Sequence, residues 1–412
     1  MSKSIFNIHV FLVEAFKKID IDMDDYFTID NCLEYIHIFD DVKDFRQSTK
    51  SKYKLSNVLL LCFLSVVREG KISCTGMYDH IFVYRKQYEK MGLIENGDIP
   101  SHDTIRRILI SIDPCEFEKI VIRQIECILQ KIRKFGLGNQ FIHQSLDGKE
   151  IRGSGRREDT KNPLRNINIL NYYDNSLGLC IHCEPVDGKT NEIPVAQKIL
   201  EPLRLNKTVI TFDALHTQTM TCNLISKGKG YYVAPVKENQ KGLFNEIQAK
   251  FEKSRRTKPI ERDKRVFRFI KLPSNYDDCG FTGMKIFVEM VSYTRKKPTT
   301  MYFISNSINK DLIMEAIENR WEIENGLHKE KDTYLNEDAV RFTNKTALNN
   351  VAIMNNLAIC LAKIYGSINT IEMRTSKREF RAFPLECIAK TMKVMNDKEI
   401  LKQLKQSTKT SK

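Results

Sequence analysis

The order of apolar and polar residues divides the chain into a helical part and a mixed part. Apolar side chains recur at helical spacing over residues 55–68, 75–91 and 114–134, and a glycine in "FGLGN" ends the last of these segments. From residue 140 onward, short apolar runs between turn residues replace the helical spacing. We therefore predict a helical N-terminal domain over residues 1–136, followed by a domain built on strands.

The second part predicts an ordered series of strands and helices. Five strands are expected, the second and third joined by the turn residues "YDNSLG", in the segments "FIHQSLDG", "RNINILNYYDNSLGLCIHCEPV", "KTVITFDA" and "GYYVAPVK". Helical segments lie before and after the fourth strand. Three antiparallel strands followed by alternating helices and parallel strands form the RNase H-like plan. We therefore predict an α/β catalytic core with a mixed five-stranded sheet flanked by helices.

About seventy residues between the fifth strand and the next helix do not fit this plan. β-like segments such as "MKIFVEMVSYT" predict a β-rich insertion at about residues 239–310, packed on the catalytic domain of residues 137–382. Its basic entry, "KSRRTKPIERDKR", is typical either of a solvated loop or of a contact with a nucleic-acid backbone. In the second case the contacts come from Arg255, Arg256, Arg262, Lys264 and Arg265. Residues 383–412 predict a C-terminal helix and a polar tail.

The net charge of +14 at pH 7 bears on the kind of partner. A basic protein favours polyanions, most simply nucleic acid, because binding releases condensed counterions. A lysine-rich composition can also serve solubility alone, so charge by itself leaves the partner open.

The segment "IPSHDTIRRILISIDP" predicts a short helix in the N-terminal domain. Ser101 or Asp103 can cap it, and Arg106 and Arg107 then lie on its exposed side. These arginines suit the phosphates or base edges of double-stranded DNA. A capped connector helix with solvated arginines fits the same residues equally well.

Secretion and membrane insertion are not indicated by the chain's apolar segments. The N-terminal segment lacks the order of a secretory signal, and the most apolar run, "LSNVLLLCFLSVV", is too short to cross a bilayer. We expect a cytoplasmic protein without a membrane partner. Eleven scattered cysteines agree with a reducing compartment, and Cys180 and Cys183 of a CxxC segment are expected to be half-buried strand residues rather than metal ligands.

Two of the predicted strands end at aspartates. Asp147 ends the first strand and Asp213 the fourth, and the carboxyl ends of neighbouring strands line one crevice. On the following helix, Glu324 lies within about 60° of Arg320 and Lys331. Three carboxylates suit Mg²⁺ or Mn²⁺, and two such ions about 4 Å apart support phosphodiester cleavage. Taken singly, the aspartates could be turn residues and Glu324 half of a surface ion pair.

At these residues the sequence resembles the DDE transposases of bacterial insertion sequences, in the group that includes the H-repeat-associated proteins. The resemblance extends from about residue 39 to residue 382. It is carried by "IPSHDTIRRIL", "SLDGKEIRGS", "DGKTNEIPVAQKIL", "TFDALHTQ", "YYVAPVKENQ" and "NRWEIENGLHKEKDTYLNEDAVR".

A related group of these enzymes carries a Tyr-x2-Arg-x3-Glu-x6-Lys signature. Its arginine, glutamate and lysine fall on Arg320, Glu324 and Lys331. Two positions depart from the family: Ile317 occupies the place of the tyrosine, and Lys329 stands where a tryptophan usually follows "LH". The first departure concerns a contact with DNA and not the metal site.

The resemblance implies a transposase that binds the inverted-repeat ends of its own element, cuts there and joins the ends to target DNA. Asp147, Asp213 and Glu324 would then form the metal-binding triad, and a homodimer on DNA is expected. The residues placed against DNA strands are Lys149, Arg152, Lys237, Asn239 and Gln240, together with Arg320 and Lys331. Glu192 of "KTNEIP" is interpreted as an acid of the first helical turn.

Two other functions use all or part of the same machinery. A metal-dependent nuclease of this fold needs the same cleavage step without strand transfer. A DNA-binding protein that has lost its chemistry does not need the acids, and their presence at positions 147, 213 and 324 argues against it. The sequence does not separate the transposase from the nuclease.

Overall fold

The computed structural model describes nine stretches of the chain. They are residues 5–17, 32–47, 51–70, 73–137, 140–155, 165–186, 191–254, 257–294 and 297–407. Arg255 and Arg256 of the basic entry to the predicted insertion lie outside these residues.

A nine-stranded mixed sheet runs through the middle of the molecule. Its strands are β1 (Ile142–Ile151), β2 (Ile167–Asp174), β3 (Leu179–Val186), β4 (Thr208–Phe212), β5 (Tyr231–Val236), β6 (Ile260–Arg262), β7 (Arg265–Lys271), β8 (Ile286–Ser292) and β9 (Thr299–Ser305). They are ordered β3-β2-β1-β4-β5-β9-β8-β7-β6. Among these nine strands of the described residues, the β1–β4 and β4–β5 pairs are parallel and the other neighbours are antiparallel. The first five strands and the helices between them follow the predicted chain order.

The predicted insertion differs from expectation in how it joins the sheet. We expected its strands to pack on a five-stranded sheet, but β9 pairs antiparallel with β5, with Val233 opposite Ser305, and β8, β7 and β6 extend the same sheet. Strand β5 is almost entirely buried. An unpaired edge on such a strand would leave backbone polar groups without partners, so the insertion completes the sheet.

Helices cover both faces of the sheet. Before it lie α1 (Ile8–Phe16), α2 (Leu55–Glu69), α3 (Cys74–Val83), α4 (Arg85–Lys90), α5 (His102–Ser111) and α6 (Pro114–Gly136). Between the strands lie α7 (Glu192–Leu200), α8 (Thr219–Lys227) and α9 (Lys241–Lys253). After it lie α10 (Lys310–Asn319), α11 (Lys329–Leu335), α12 (Lys345–Ile368), α13 (Met373–Ala382), α14 (Pro384–Asn396) and α15 (Lys398–Ser407). The segment expected at 75–91 is thus two helices, and the C-terminal region holds two where one was expected.

Three hydrophobic clusters hold these layers together. Helices α7, α8 and α9 pack on one face of the sheet, and α10 packs on the other face beside β4, β5 and β9. The largest cluster joins the helices before the sheet to α12, α13 and α14. The helices from both ends of the chain therefore share one core.

Helix α12 is the centre of that core. By length and composition it could cross a membrane, but 94% of its most apolar window is buried inside the protein. It contacts helices α1, α2, α5, α6, α13 and α14 and strand β3. Its apolar character is therefore explained by packing.

The two cysteines of the CxxC segment are both buried, not half-buried. A register shift in the β2–β3 ladder lies between them, since Tyr173 pairs with Cys180 and Asn171 with Cys183. Residues three apart on a regular strand face opposite sides. Here the irregularity turns both thiols into the same core.

Gly153, in the 3-10 turn Arg152–Ser154, lies against the turn that follows α11. A β-carbon at this position would stand 2.4 Å from the backbone oxygen of Val340 and 2.7 Å from that of Asp338. We predict that Gly153→Ala lowers the free energy of unfolding by about 1–3 kcal/mol, because a backbone neighbour cannot move aside cheaply. Urea denaturation would measure the change.

Gly242→Ala is the matched control. This glycine is in α9, and a β-carbon there has no neighbour within 4 Å. The change should leave stability unaltered or raise it by up to about 1 kcal/mol, as alanine favours helix. Equal losses in both variants would contradict the close packing at Gly153.

Candidate active site

The pairing of β1 with β4 brings two aspartates together. Their parallel register ends with Leu146 opposite Phe212, so the next residues, Asp147 and Asp213, follow side by side. Leu146 and Phe212 face the cluster under α7 and α8. Since side chains alternate along a strand, Asp147 faces the other side of the sheet.

Asp147 does not end its strand, which corrects the expectation from sequence. Strand β1 continues to Ile151 and remains paired with β2, where Asn171 stands opposite Asp147. The aspartate instead marks the point at which β1 loses its partner β4. This is where a crevice opens in a parallel pair, so the predicted location is unchanged.

Glu324 comes from a helix with an irregular turn. Residues Ile323–His328, between α10 and α11, form a π-helical segment. Short π-helical segments within helices occur frequently at functional sites. The helix expected around residues 320–332 is therefore present, but it contains a wider turn at the glutamate.

The carboxylates are close enough to perturb one another. Burial and the negative charges of Glu324, Glu192 and Asp213 raise the pKa of Asp147 to about 7, and the positive charge of Arg320 opposes this shift. A carboxyl group held in this way favours a neutralised form unless a cation compensates its charge.

The pKa values of Asp213 and Glu324 are shifted less than that of Asp147, because cations lie beside these two acids. Burial works against ionisation of Asp213, but the Ala214 amide and the charges of Lys237 and Arg320 keep its pKa below the ordinary value. Burial and the charge of Asp213 raise the pKa of Glu324, against the effect of Arg320 and Lys237. The site therefore has one strongly perturbed acid and two that are partly compensated.

Each acid contacts a nitrogen of its own. Lys237 Nζ lies 3.5 Å from Asp213 Oδ1, and Arg320 lies 3.7 Å from Glu324 Oε1. His328 Nδ1 lies 3.5 Å from Asp147 Oδ2. Within the described stretches, no three Asp, Glu, His or Cys side chains are grouped as ligands of one ion.

The chemistry of the donors nevertheless fits a hard divalent cation. All three expected ligands offer carboxylate oxygens, the donors preferred by Mg²⁺ and Mn²⁺. Besides burial, the negative charges of Glu324, Glu192 and Asp213 disfavour the ionised form of Asp147. A cation would relieve this repulsion.

A cleft of about 1240 Å³ leads from Asp213 and Glu324 to the inserted strands. Asp213, Glu324, Arg320 and Arg265 line it. Trp321 also lines it, with the Arg320 guanidinium 4.8 Å and the Arg265 guanidinium 5.7 Å from the centre of its ring. Arginines stacked on an aromatic ring present a cationic surface beside the acids.

Several residues expected to contact DNA are accessible. Arg106 and Arg107 are exposed on α5, whose N-terminus is capped by Ser101. The Arg152 side chain is 80% exposed and lies 3.6 Å from Asp338, and the Lys237 side chain is 58% exposed. These positions are open to a polyanion.

Lys149 and Lys331 are buried, whereas a contact with DNA needs an exposed side chain. The Lys149 ammonium is buried and lies 2.6 Å from Asp332, 3.4 Å from Glu337 and 3.2 Å from Asp338. Lys331 is 1% exposed and donates to Asn171 Oδ1 at 3.1 Å. Both lysines thus balance carboxylates inside the protein, since a buried charge requires a partner.

Arg262, Asn239 and Gln240 are also engaged within the protein. Arg262 lies 3.5 Å from Glu315 and 3.2 Å from Glu318. Asn239 donates to the Ala214 oxygen at 2.8 Å, and Gln240 donates to the Thr217 oxygen at 2.9 Å. These amides hold the turn that follows Asp213.

The position of the signature tyrosine lies away from the cleft. Ile317 is fully buried in the cluster between α10 and the sheet. An isoleucine suits that environment better than a tyrosine, whose hydroxyl would need a partner. The departure from the signature is thus explained by packing.

Glu192 is in the first turn of α7, as predicted, and it also lies close to Asp147. Its carboxylate packs on the backbone of Gly148, where a β-carbon would stand 2.1 Å from Oε1. Oε1 accepts a hydrogen bond from Asn168, and Oε2 lies 3.2 Å from His216 Nε2. The signal in the sequence was the glycine directly after Asp147, which leaves room for this fourth acid.

His328 was missed, although it follows Glu324 at helical spacing. Its side chain is 12% exposed and lies between Asp147 and Asn171. Burial, followed by the charges of Lys331 and Lys149, holds its pKa well below the ordinary value. The imidazole is therefore neutral at physiological pH.

Comparison with protein families gives two matches along the chain. The family described as "Transposase DDE domain" matches residues 140–361, and one described as "DDE_Tnp_1-associated" matches residues 36–125. The first match covers more than half of the chain.

Similar proteins carry related names. "Putative transposase YncI" of Escherichia coli O157:H7 is 28% identical over 82% of this chain and 88% of its own length. The K12 protein of the same name is 30% identical over 68% of this chain and 97% of its own length. "H repeat-associated putative transposase YhhI" of E. coli K12 is 29% identical over 74% of this chain and 83% of its own length.

A cryo-EM structure of the piggyBac transposase synaptic complex with hairpin DNA aligns with 99% of this chain and 85% of its own chain. The TM-score is 0.41 and the identity 15%, which is too low to establish a shared fold.

The raised pKa of Asp147 predicts a pH dependence of stability. In the folded protein the carboxyl group of Asp147 stays protonated up to about pH 7, whereas an unfolded aspartate loses its proton near pH 4. Stability should therefore fall as pH rises between these values and stay low above them. With EDTA present, we predict that Asp147→Asn is more stable than the wild type at pH 8, on the order of 2–4 kcal/mol, and that the gap narrows at pH 5.

Asp213→Asn serves as the control for that measurement. The pKa of Asp213 is lowered, so its ionised form is favoured in the fold and its contribution is lost as pH falls. Its amide variant should not gain stability at pH 8 in urea denaturation. A similar gain in both variants would show that Asp147 is not specially perturbed.

Proposed function

Since the chain belongs to the DDE transposases, in the bacterial group of the H-repeat-associated proteins, we propose that it binds the ends of its own insertion element, cleaves the DNA there and joins the ends to target DNA. The observation that carries the proposal is electrostatic: burial and the charges of Glu324, Glu192 and Asp213 raise the pKa of Asp147, and Asp213 and Glu324 line a cleft together with Lys237, Arg265 and Arg320. Binding alone would not require three mutually repelling acids, because such a cluster costs free energy unless chemistry uses it.

The proposal includes an RNase H-like catalytic core. Strands β1 to β5 provide three antiparallel strands followed by two parallel ones, with α7 and α8 as the connecting helices. Asp147 lies on β1, Asp213 directly follows the neighbouring strand β4, and the glutamate comes from a helix later in the chain. This arrangement supports the assignment independently of residue identity.

Asp147, Asp213 and Glu324 are the proposed ligands of two Mg²⁺ or Mn²⁺ ions. When bound, such ions activate the attacking oxygen and stabilise the leaving oxygen of an in-line displacement. The donor set of carboxylate oxygens, and the burial of Asp147 near the charges of Glu324, Glu192 and Asp213, support this assignment.

The protein's own contribution is to bring a polyanion to a negative centre. Lys237 lies beside Asp213, and Arg320 lies beside Glu324. Arg265 extends the positive charge along the cleft towards the inserted strands. These cations offset repulsion between the DNA backbone and the carboxylates.

The exposed arginines of α5 form a second proposed contact. Arg106 and Arg107 follow a capped helix N-terminus and face solvent. We assign them to the phosphates or base edges of the element's ends. The protein would act as a homodimer, one copy for each end, in the bacterial cytoplasm at the nucleoid.

Glu324→Gln should reduce Mg²⁺-dependent cleavage of end-containing DNA to background while leaving DNA binding intact. The amide keeps the size of the side chain but removes the charge that would hold the metal. Cleavage gels and a filter-binding assay on the same DNA would measure both properties. Joined products with the wild type indicate a transposase, and nicks alone indicate a nuclease.

Glu322→Gln provides the matched control. Glu322 is two residues away and lies 3.3 Å from Lys363, on another side of the helix. Its replacement should retain cleavage. Loss of cleavage in both variants, or loss of binding in a folded Glu324→Gln protein, would count against the role given to Glu324.

Arg265→Gln should weaken DNA binding and reduce the salt slope by about one. Its guanidinium lies over Trp321 in the cleft, whereas that of Arg262, three residues earlier, is paired with two glutamates. Arg262→Gln should therefore leave the salt slope unchanged. Binding isotherms over a range of salt concentrations would measure both slopes, and a larger effect at Arg262 would contradict the assignment.

A further inference from the structure

A buried polar network lies behind Asp147. On one face of β1, Asp147 and Lys149 point towards the segment that carries Glu324 and towards the turn after α11. Lys149 and Lys331 share the carboxylate of Glu337, at 3.4 and 3.6 Å. Lys331 and Glu337 are 1% exposed, so the shared carboxylate balances charge in a low-dielectric interior.

The network fixes the orientation of the Asn171 amide. Lys331 Nζ donates to Asn171 Oδ1 at 3.1 Å, because an ammonium cannot accept a hydrogen bond. Asn171 Nδ2 therefore faces the other way, donating to the Ile169 oxygen at 3.1 Å and lying 3.3 Å from His328 Nε2.

The amide orientation in turn selects the tautomer of His328. Because Nε2 faces a donor, it is the accepting nitrogen, and the ring proton is on Nδ1. Nδ1 lies 3.5 Å from Asp147 Oδ2. The N–H group of the imidazole thus faces one oxygen of the aspartate, at a distance longer than an ordinary hydrogen bond.

We propose that His328 is a positioning residue that fixes the rotation of the Asp147 carboxylate through its Nδ1–H group. The inference rests on the proposed function, in which Asp147 holds a metal ion. A carboxylate anchored at one oxygen loses rotation about its Cβ–Cγ bond, and partners of this kind stabilise the orientation of metal ligands. Asn171, Lys331 and Glu337 act behind His328 and keep its ring in place.

Substitutions of His328 can separate the effect of its Nδ1–H donor from the effect of side-chain volume. The amide nitrogen of asparagine occupies the position of Nδ1, whereas that of glutamine occupies the position of Nε2. His328→Asn should therefore keep the contact with Asp147, and His328→Gln and His328→Leu should lose it.

Mn²⁺ binding to the full-length protein without DNA is the readout, measured by electron paramagnetic resonance of free Mn²⁺. Asp147→Asn defines background binding. We expect His328→Asn to stay within about threefold of the wild type and the Gln and Leu variants to bind about ten- to a hundredfold more weakly. Urea denaturation should show similar stability for the Asn and Gln variants.

His80→Gln controls for removal of a buried histidine. His80 is fully buried in the N-terminal helices, between Glu69 and Tyr88. It should change stability but not Mn²⁺ binding.

Three outcomes would overturn the inference: wild-type affinity in His328→Gln, equal losses in the Asn and Gln variants, or no Mn²⁺ binding above background in the wild type. If the expected order of affinities holds but the wild type cuts no end-containing DNA, the positioning role stands and the proposed transposase activity fails.

Discussion

The parallel pairing of β1 with β4 is the constraint on which the candidate site depends. It sets Asp147 beside Asp213, and a slip of one residue would turn one of them to the opposite face. The strand interiors prevent such a slip, because Leu146 and Phe212 are buried in one cluster and Val209 in the cluster on the other face. Core packing thus determines where the acids meet.

Charge compensation is the second requirement, since charged side chains lie buried against the same sheet. Behind the acids, Lys149 and Lys331 neutralise carboxylates of the turn after α11. In front, Lys237 and Arg320 remain beside the cleft. Solvent access separates Lys237, whose side chain is 58% exposed, from the buried lysines, whose charge requires carboxylate partners. Arg320 is 11% exposed and reaches the cleft over the ring of Trp321. One set of cations therefore holds the fold, and the other lies beside the cleft.

The local features of this arrangement could be predicted from the sequence, but the contacts between distant segments could not. The chain order of the first five strands and their helices was predictable, because apolar runs of strand length are separated by turn residues. The burial of Lys331 was not, since its partners Asn171 and Glu337 come from a distant strand and a later turn. The pairing of β9 with β5 and the irregularity that turns Cys180 into the core are also set by non-local contacts. The roles of the individual site residues remain predictions.

The π-helical segment is a local feature that determines which distant residues its side chains contact. The residues at its start and end face different neighbours: Glu324 lies with Arg320 and feels the charge of Asp213, whereas His328 lies against Asp147 and Asn171. A π-helical turn holds more residues than an α-helical one, so it changes which side chains share a face. An α-helical projection instead groups Glu324 with Arg320 and Lys331 on one cationic stripe. In the structure these three residues do not share one face. Lys331 points into the buried network, whereas Arg320 and Glu324 line the cleft. The local backbone irregularity thus gives one short helix two tasks, since one part lies at the cleft and the other supports the strand that carries Asp147.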